Sequence, residues 1–137
     1  MFKERKPNMK YTFFAVLKKE GDEIAAHVPD IPGCVSFGDN YYDAIEQIKD
    51  AAAGCLVVLE DEGVPINNPT PQDKIIRDPD DILSMINIDT IKYREMTDTK
   101  SVRKNVSLPR WMVTMGDKQG VNYSKILQAG LMKLLNP

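Results

Sequence analysis

The chain has 137 residues, of which 42% are hydrophobic and 28% charged, and its formal net charge is −2. This composition is typical of a folded protein and argues against disorder, and no apolar run approaches the ~20 residues of a transmembrane helix. The first residues lack the apolar stretch of a signal peptide, and two cysteines, Cys34 and Cys55, make no disulfide framework, so we expect a cytoplasmic protein.

The charge is distributed unevenly along the chain. Residues 100–137 hold seven basic residues and one acidic residue, for a net charge of +6, whereas residues 1–99 hold 11 basic and 19 acidic residues, for a net charge of −8. A basic segment attracts phosphate, and an acidic one suits a basic protein, although acidic surfaces also serve ordinary solubility.

The first part of the chain is predicted to form a small sheet. Strands are expected at Lys10–Leu17 and Glu23–Val28, with a polar hairpin turn at Lys18–Asp22 between them. A proline-fixed connection at Pro29–Cys34 then leads to a third strand at Val35–Phe37.

A long amphipathic helix is predicted after the third strand. Asn40 is a good N-cap, and Asp43 three residues later makes a pattern similar to a capping box. The apolar face predicted to pack on the sheet, in which Cys55 is expected to be a small core residue, comprises Tyr41, Ala44, Ile45, Ile48, Ala52, Cys55, Leu56 and Leu59.

The order of these elements resembles the HicB antitoxin family over about Met9–Pro71. The resemblance depends on Pro-Asp-Ile-Pro-Gly-Cys at 29–34, Gly38-Asp39 and the long helix. It implies a truncated ribonuclease-H-like domain, with an antiparallel sheet plus helix, that binds and neutralises a small basic messenger-RNA-cleaving toxin, HicA. The proline-rich loop itself is read as structural, with Asp30 near the partner surface only as a secondary idea.

No catalytic centre is predicted in this domain. A ribonuclease-H-like enzyme needs clustered inward carboxylates for divalent metal ions, but the strands offer Glu23 and little else, and Asp30 and Asp39 fall in loops. The single histidine, His27, is best explained as a sheet-surface residue. We therefore expect no catalytic residue, no metal and no cofactor.

A connection rich in proline, residues 64–81, precedes a fourth predicted strand at Ile82–Ile88 and a short helix capped by Asp89. The polar stretch Thr97–Lys100 is the predicted hinge. The domain organisation is therefore expected to be residues 1–97 and residues 98–137.

A short strand with a polar face is predicted at Val102–Leu108. Alternation places Arg103, Asn105 and Ser107 on one face, and these side chains suit the base edges of the DNA major groove, although the same face could simply meet water. The opposite face carries Val102, Lys104, Val106 and Leu108.

Two helices are predicted after this strand. Pro109 suits the first helical position of one, and Gly120 ends it. Asn122 is a good N-cap for the second. The apolar residues at helical spacing are Trp111, Met112 and Met115 in the first helix, and Ile126, Leu127, Leu131 and Leu134, with Gly130 on the same stripe, in the second.

This strand–helix–helix unit, about Lys100–Leu135, is too small to bury a core alone, unless two chains pair their strands and interlock their helices. It resembles the ribbon-helix-helix family of DNA-binding dimers, with Lys104 departing from the apolar residue usual on the inward face. The resemblance implies a homodimer, with a tetramer on repeated half-sites. It also implies operator contacts, which would come from Arg103, Asn105 and Ser107 to bases, and from the backbone around Asn122, Tyr123 and Ser124 to a phosphate.

The two resemblances predict an α+β chain with a truncated ribonuclease-H-like domain followed by a ribbon-helix-helix domain. They imply a type II antitoxin that binds a HicA-type toxin and represses its own operon. The alternative is a stand-alone ribbon-helix-helix regulator whose first domain binds a ligand or only oligomerises.

Overall fold

The computed structural model describes residues 9–136, which divide between Thr97 and Asp98 into two compact units. The short extension predicted at residues 1–8 lies outside the described residues.

The first unit, residues 9–97, contains a four-stranded antiparallel sheet in the order β3-β2-β1-β4. The strands are β1 (Lys10–Glu20), β2 (Glu23–His27), β3 (Val35–Gly38) and β4 (Ile82–Asp89). The predicted α+β class with an antiparallel sheet is thus confirmed.

The first hairpin is tighter than predicted. The expected turn at Lys18–Asp22 shrinks to Gly21 and Asp22, because residues 18–20 continue β1 and pair with residues 23–25 of β2. Gly21 takes a positive φ of 61°, which glycine adopts without steric cost. At the other end β2 stops at His27, since the Val28 N–H donates to the Cys34 carbonyl within the proline-rich loop.

Helix α1 (Tyr41–Asp61) covers one face of this sheet. Its N-cap is Asn40, as predicted, whose side-chain oxygen accepts the Asp43 N–H at 2.8 Å. A Cβ on Gly38 would lie 2.3 Å from the Ala44 nitrogen, so only glycine lets β3 approach the helix this closely. The core between helix and sheet comprises Phe13, Ala15, Leu17, Ile24, Ala26, Val28, Ile31, Cys34, Ala44, Ile48, Ala52, Ala53, Leu56, Ile86 and Ile88.

The two cysteines are free thiols at this core. Cys34 is buried, and Cys55 is half-buried against the core, as the apolar pattern of α1 predicts. Burial, followed by the neighbouring Cys55, raises the pKa of the Cys34 thiol to about 12.

The opposite face of the sheet is covered only in part. Val16 lies on this face, because it alternates with the core residues Ala15 and Leu17 along β1. Its side chain is nevertheless buried. The connection 64–81 has one short 3₁₀-helix, Gln72–Lys74, and is held to the sheet side at two points. Thr70 donates twice to Asp30, and Lys18, which shares the face of Val16, forms an ion pair with Asp78.

A polar network fastens the end of α1 to helix α2 (Thr90–Thr97). The Glu60 carboxylate accepts hydrogen bonds from the Tyr11 hydroxyl at 2.6 Å, the Thr90 hydroxyl at 2.9 Å and the Arg94 guanidinium at 3.1 Å. Burial and the bond to Glu60 raise the pKa of Tyr11. The network is satisfied on all sides and fixes α2 next to the sheet.

The second unit has two helices, α3 (Arg110–Gln119) and α4 (Tyr123–Leu135). Gly120 ends α3 in the left-handed conformation, with φ 66°. Asn122 caps α4, as predicted, by accepting the Lys125 N–H at 3.1 Å. Pro109 is the N-cap of α3 and not its first helical residue, one position from the prediction.

Residues 102–108, the predicted strand, form no strand pairing with any other part of the described chain. A strand needs a partner edge for its backbone groups, and the prediction places that partner on a second copy of the chain.

The second unit lacks an interior of its own. From Asp98 to Asn136 no residue is buried, and the large apolar side chains of both helices are roughly half exposed. The apolar faces of these helices are therefore open to solvent in a single chain.

Candidate nucleic-acid interface

An apolar groove runs between the two helices of the second unit and the segment that precedes them. It encloses about 440 Å³. Its lining comprises Lys104, Val106, Leu108, Met112, Gly116, Val121, Tyr123, Ser124, Ile126 and Leu127. This open apolar groove in a small, basic unit brings together the segment before α3 and both helices, which carry the predicted DNA-binding residues.

The segment before α3 divides its side chains between the groove and the solvent. Lys104 and every second residue after it, Val106 and Leu108, line the groove. The intervening Arg103, Asn105 and Ser107 do not line it and are exposed. Lys104, which departs from the ribbon-helix-helix pattern, thus lies with its apolar neighbours, where a lysine stem can cover apolar surface while its ammonium reaches water.

The start of α4 is held against α3 by Tyr123. The Tyr123 hydroxyl lies 2.7 Å from the Asp117 carboxylate and 3.1 Å from the Val113 carbonyl oxygen, and the bond to Asp117 raises the pKa of Tyr123. A Cβ on Gly116 would lie 2.6 Å from this hydroxyl. Gly116 therefore makes room for the tyrosine, a role that its position within a helix does not reveal.

The phosphate contact predicted at Asn122–Ser124 is made by the backbone, and the side chains of these three residues have different surroundings. The Asn122 oxygen is occupied by the Lys125 N–H, and the Tyr123 hydroxyl is turned toward α3. Ser124 is exposed. What remains for an anion is the backbone at the start of α4, because the first N–H groups of a helix lack partners within it.

The charge of this unit favours an anionic partner. Residues 98–136 carry seven Lys or Arg residues and two acidic residues, Asp98 and Asp117. Asp117 accepts a hydrogen bond from the Tyr123 hydroxyl, and the net charge of residues 98–136 is +5. Such a surface attracts a phosphate backbone through long-range electrostatics.

The family of the chain follows from comparison with known proteins. A family model described as the HicB-like antitoxin of bacterial toxin–antitoxin systems matches residues 13–131. The chain belongs to this HicB-like antitoxin family. Membership of an antitoxin family indicates a regulatory and non-enzymatic role.

One curated relative of this HicB-like antitoxin matches only about half of the chain. An uncharacterized 14.9 kDa protein from the rep-hol intergenic region of Haemophilus phage HP1 (strain HP1c1) is 32% identical over 78 residues, which span 53% of this chain and 57% of the phage protein.

Among solved structures, a toxin–antitoxin complex from Streptococcus pneumoniae contains a chain that is 16% identical, with a TM-score of 0.58 and coverage of 91% of this chain and 99% of that one. The crystal structure of antitoxin HicB3 is 22% identical, with a TM-score of 0.50 and coverage of 92% and 99%. These matches show a shared fold.

The first unit of this antitoxin offers surfaces of a different character. An open cleft of about 550 Å³ is lined by Tyr41, two lysines and three aspartates, Asp78, Asp80 and Asp81. Among residues 9–136 there is no group of three or more His, Cys, Asp or Glu residues that could hold a metal ion, and no described helix is long and apolar enough to cross a membrane. His27 is exposed on β2, and Asp30 is occupied by Thr70.

Proposed function

We propose that this HicB-like antitoxin has two activities in the bacterial cytoplasm. The first unit binds and neutralises a HicA-type messenger-RNA-cleaving toxin. The second unit forms a homodimer that binds operator DNA and represses the operon encoding both proteins. The observation that carries the proposal is the second unit itself, which is basic, has no buried residue between Asp98 and Asn136, and presents its polar and apolar side chains in alternation.

Dimerisation is the simplest way to complete the second unit. The apolar side chains that a single chain leaves between 37% and 66% exposed on its two helices are Trp111, Met112, Met115, Tyr123, Ile126, Leu127, Leu131, Met132, Leu134 and Leu135. Contiguous exposure on this scale marks an interaction surface. A second copy would cover it, and antiparallel pairing of residues 102–108 would give each segment a strand partner, as in a ribbon-helix-helix dimer. Two such dimers on repeated half-sites would make a tetramer.

In that dimer the exposed side of the paired segments would face the DNA. Arg103 would donate to a guanine, Asn105 would pair with an adenine, and Ser107 would adapt to either. The backbone from Asn122 to Ser124 would bind a phosphate on each side and set the position of the dimer on the duplex.

The first unit has the charge and surface expected for binding a basic toxin. Residues 9–97 hold eight Lys or Arg residues and 17 Asp or Glu residues. In this proposal its sheet and helix form a truncated ribonuclease-H-like domain that has no catalytic role. Neutralisation would be steric and electrostatic, because an acidic body can cover the RNA-binding face of a basic toxin.

The DNA-binding half of the proposal is tested with DNA from upstream of the gene. In a mobility-shift assay, R103A and N105A should each weaken binding, because a lost bidentate base contact costs about 1–3 kcal/mol. The matched control is R77A, which removes an exposed arginine from the first unit. Unchanged binding by both R103A and N105A, or a flat response of affinity to salt, would contradict the proposed contacts.

The division of labour is tested by a chain that ends at Thr97. Because the core of residues 9–97 is closed, this truncated protein should fold, bind the toxin and fail to shift DNA. A folded truncation that does not neutralise the toxin would show that the first unit alone is not the toxin-binding part.

A further inference from the structure

The uncovered face of the sheet carries an apolar patch at its β3 edge. Val35 and Phe37 are 54% and 50% exposed, and the strand register places them beside His27 and Ala25 of β2. All four side chains lie on the face opposite α1, because Ile24 and Ala26, which alternate with them, are in the core. On this face Val16 is buried, whereas Val35 and Phe37 are in solvent.

The same face carries an unusual pair of acidic residues next to the patch. Glu20 and Glu23 are directly opposite each other in the register of β1 and β2, and both are exposed. Like charges placed opposite each other on a sheet destabilise it. Glu23 precedes Ile24, the partner of Gly38, so this pair lies beside the end of β3, where Asp39 adds a third carboxylate.

The strand that carries the patch is also open along its outer edge. β3 pairs with β2 only, and no other described strand lies on its far side. Its backbone N–H and C=O groups on that side are therefore available to a partner. Tyr42, in the first turn of α1 after this strand, is 78% exposed and adds an aromatic side chain of the type enriched at binding surfaces.

We propose that Val35, Phe37, Glu20, Glu23 and Asp39, here called the β3 surface, form the site at which the basic toxin binds. The inference rests on the proposed function and names the surface that performs it. The apolar pair would supply the desolvated centre of the interface. The three carboxylates would attract Lys or Arg side chains of the toxin, which would relieve the repulsion between Glu20 and Glu23.

The test measures the affinity of the full-length chain for the basic protein encoded by the neighbouring reading frame, purified in a catalytically inactive form, by isothermal titration calorimetry. F37S should weaken binding by roughly tenfold or more, as expected for an aromatic residue at the centre of an interface. E23Q should weaken binding less and should flatten its dependence on salt.

Two matched variants control for position and charge. M85S replaces an apolar residue that is 62% exposed on the same face but on β4, at the opposite edge of the sheet. E62Q removes an exposed carboxylate at the end of α1. Both should bind as the wild type does. The thermal unfolding of F37S, M85S and E62Q should match that of the wild type because these side chains are exposed. E23Q removes the repulsion with Glu20 and should unfold at the same or a slightly higher temperature.

The outcomes separate the two levels of the proposal. If the wild-type chain does not bind the toxin, the proposed function and the β3 surface both fail. If the wild type binds and F37S and E23Q bind equally well, or if M85S loses as much affinity as F37S, the proposed function stands and the β3 surface is wrong.

Discussion

The two units of this antitoxin differ in whether they bury an apolar core. Residues 9–97 enclose a core of fifteen buried side chains between a sheet and a helix, whereas no residue between 98 and 136 is buried. Each part has a helix whose N-cap side chain accepts a backbone N–H, Asn40 in α1 and Asn122 in α4, so local structure does not distinguish them. The difference teaches that apolar periodicity predicts where a face lies, but not whether the chain itself or another molecule covers it.

The largest effect is expected from a charge placed on the uncovered helices. Leu131 lies on the apolar stripe of α4 and is 47% exposed in a single chain. If a second copy covers it, L131D should convert the dimer to a monomer in sedimentation equilibrium, because burying an unpaired carboxylate costs several kcal/mol. L131M should remain dimeric. An unchanged mass for L131D would place the dimer interface elsewhere.

A substitution that creates a cavity tests the core of the first unit. Ile48 on α1 is 0% exposed, so I48A should lower the free energy of unfolding of the first unit by about 2–5 kcal/mol. V58A, on the same helix at a side chain 53% exposed, should change it by about 0.5 kcal/mol or less. Chemical denaturation followed by circular dichroism measures both, and equal losses would argue against the core described above.

The Glu60 network should contribute less than the apolar core. E60Q keeps the shape of the side chain but weakens its bonds to Tyr11, Thr90 and Arg94, so a loss of about 1–3 kcal/mol in unfolding free energy is expected. E62Q, at an exposed carboxylate two residues later, should be nearly neutral. If E60Q is as stable as the wild type, the network does not hold α2 in place.

The effect that is smallest near neutral pH concerns the Cys34 thiol, because it develops only at alkaline pH. Its pKa is raised from 9.0 to about 12, so the folded state keeps a proton that the unfolded chain releases. The stability contributed by the neutral thiol is present below pH 9 and is lost progressively as the pH rises from 9 toward 12.

Equilibrium unfolding across this range should therefore show a decline that is smaller in C34A. At pH 8 a thiol reagent should label Cys34 only after unfolding. Rapid labelling in the folded state would contradict the burial of this residue.

Much of the first unit could be predicted from its sequence because its signals are local. The alternation in β1 and β4, the Asn40 cap and the apolar stripe of α1 each involve residues close in the chain. The end of β1 could not, because residues 18–20 are polar and join the strand only through pairing with β2. The Glu60 network was missed for a related reason, since its partners Tyr11 and Arg94 are 49 and 34 residues away.

In the second unit the caps at Gly120 and Asn122 were predictable from residue type. The contact of Tyr123 with Gly116 and Asp117 was not, because it depends on the angle between the two helices. The roles of Arg103, Asn105 and Ser107 stay predictions. These three side chains are exposed, and their contacts to bases depend on the DNA sequence and on the pairing of two chains.

The absence of a buried residue from Asp98 to Asn136 has a consequence for how the protein would respond to its own abundance. A unit completed only by a second copy gains its stability by mass action, so its integrity falls as the protein is diluted. The enclosed first unit has no such dependence. If the proposed activities are correct, operator binding would decline at low copy number while toxin binding by each chain persisted, and a cell depleted of antitoxin would resume transcription of the operon before its remaining antitoxin lost the ability to bind toxin.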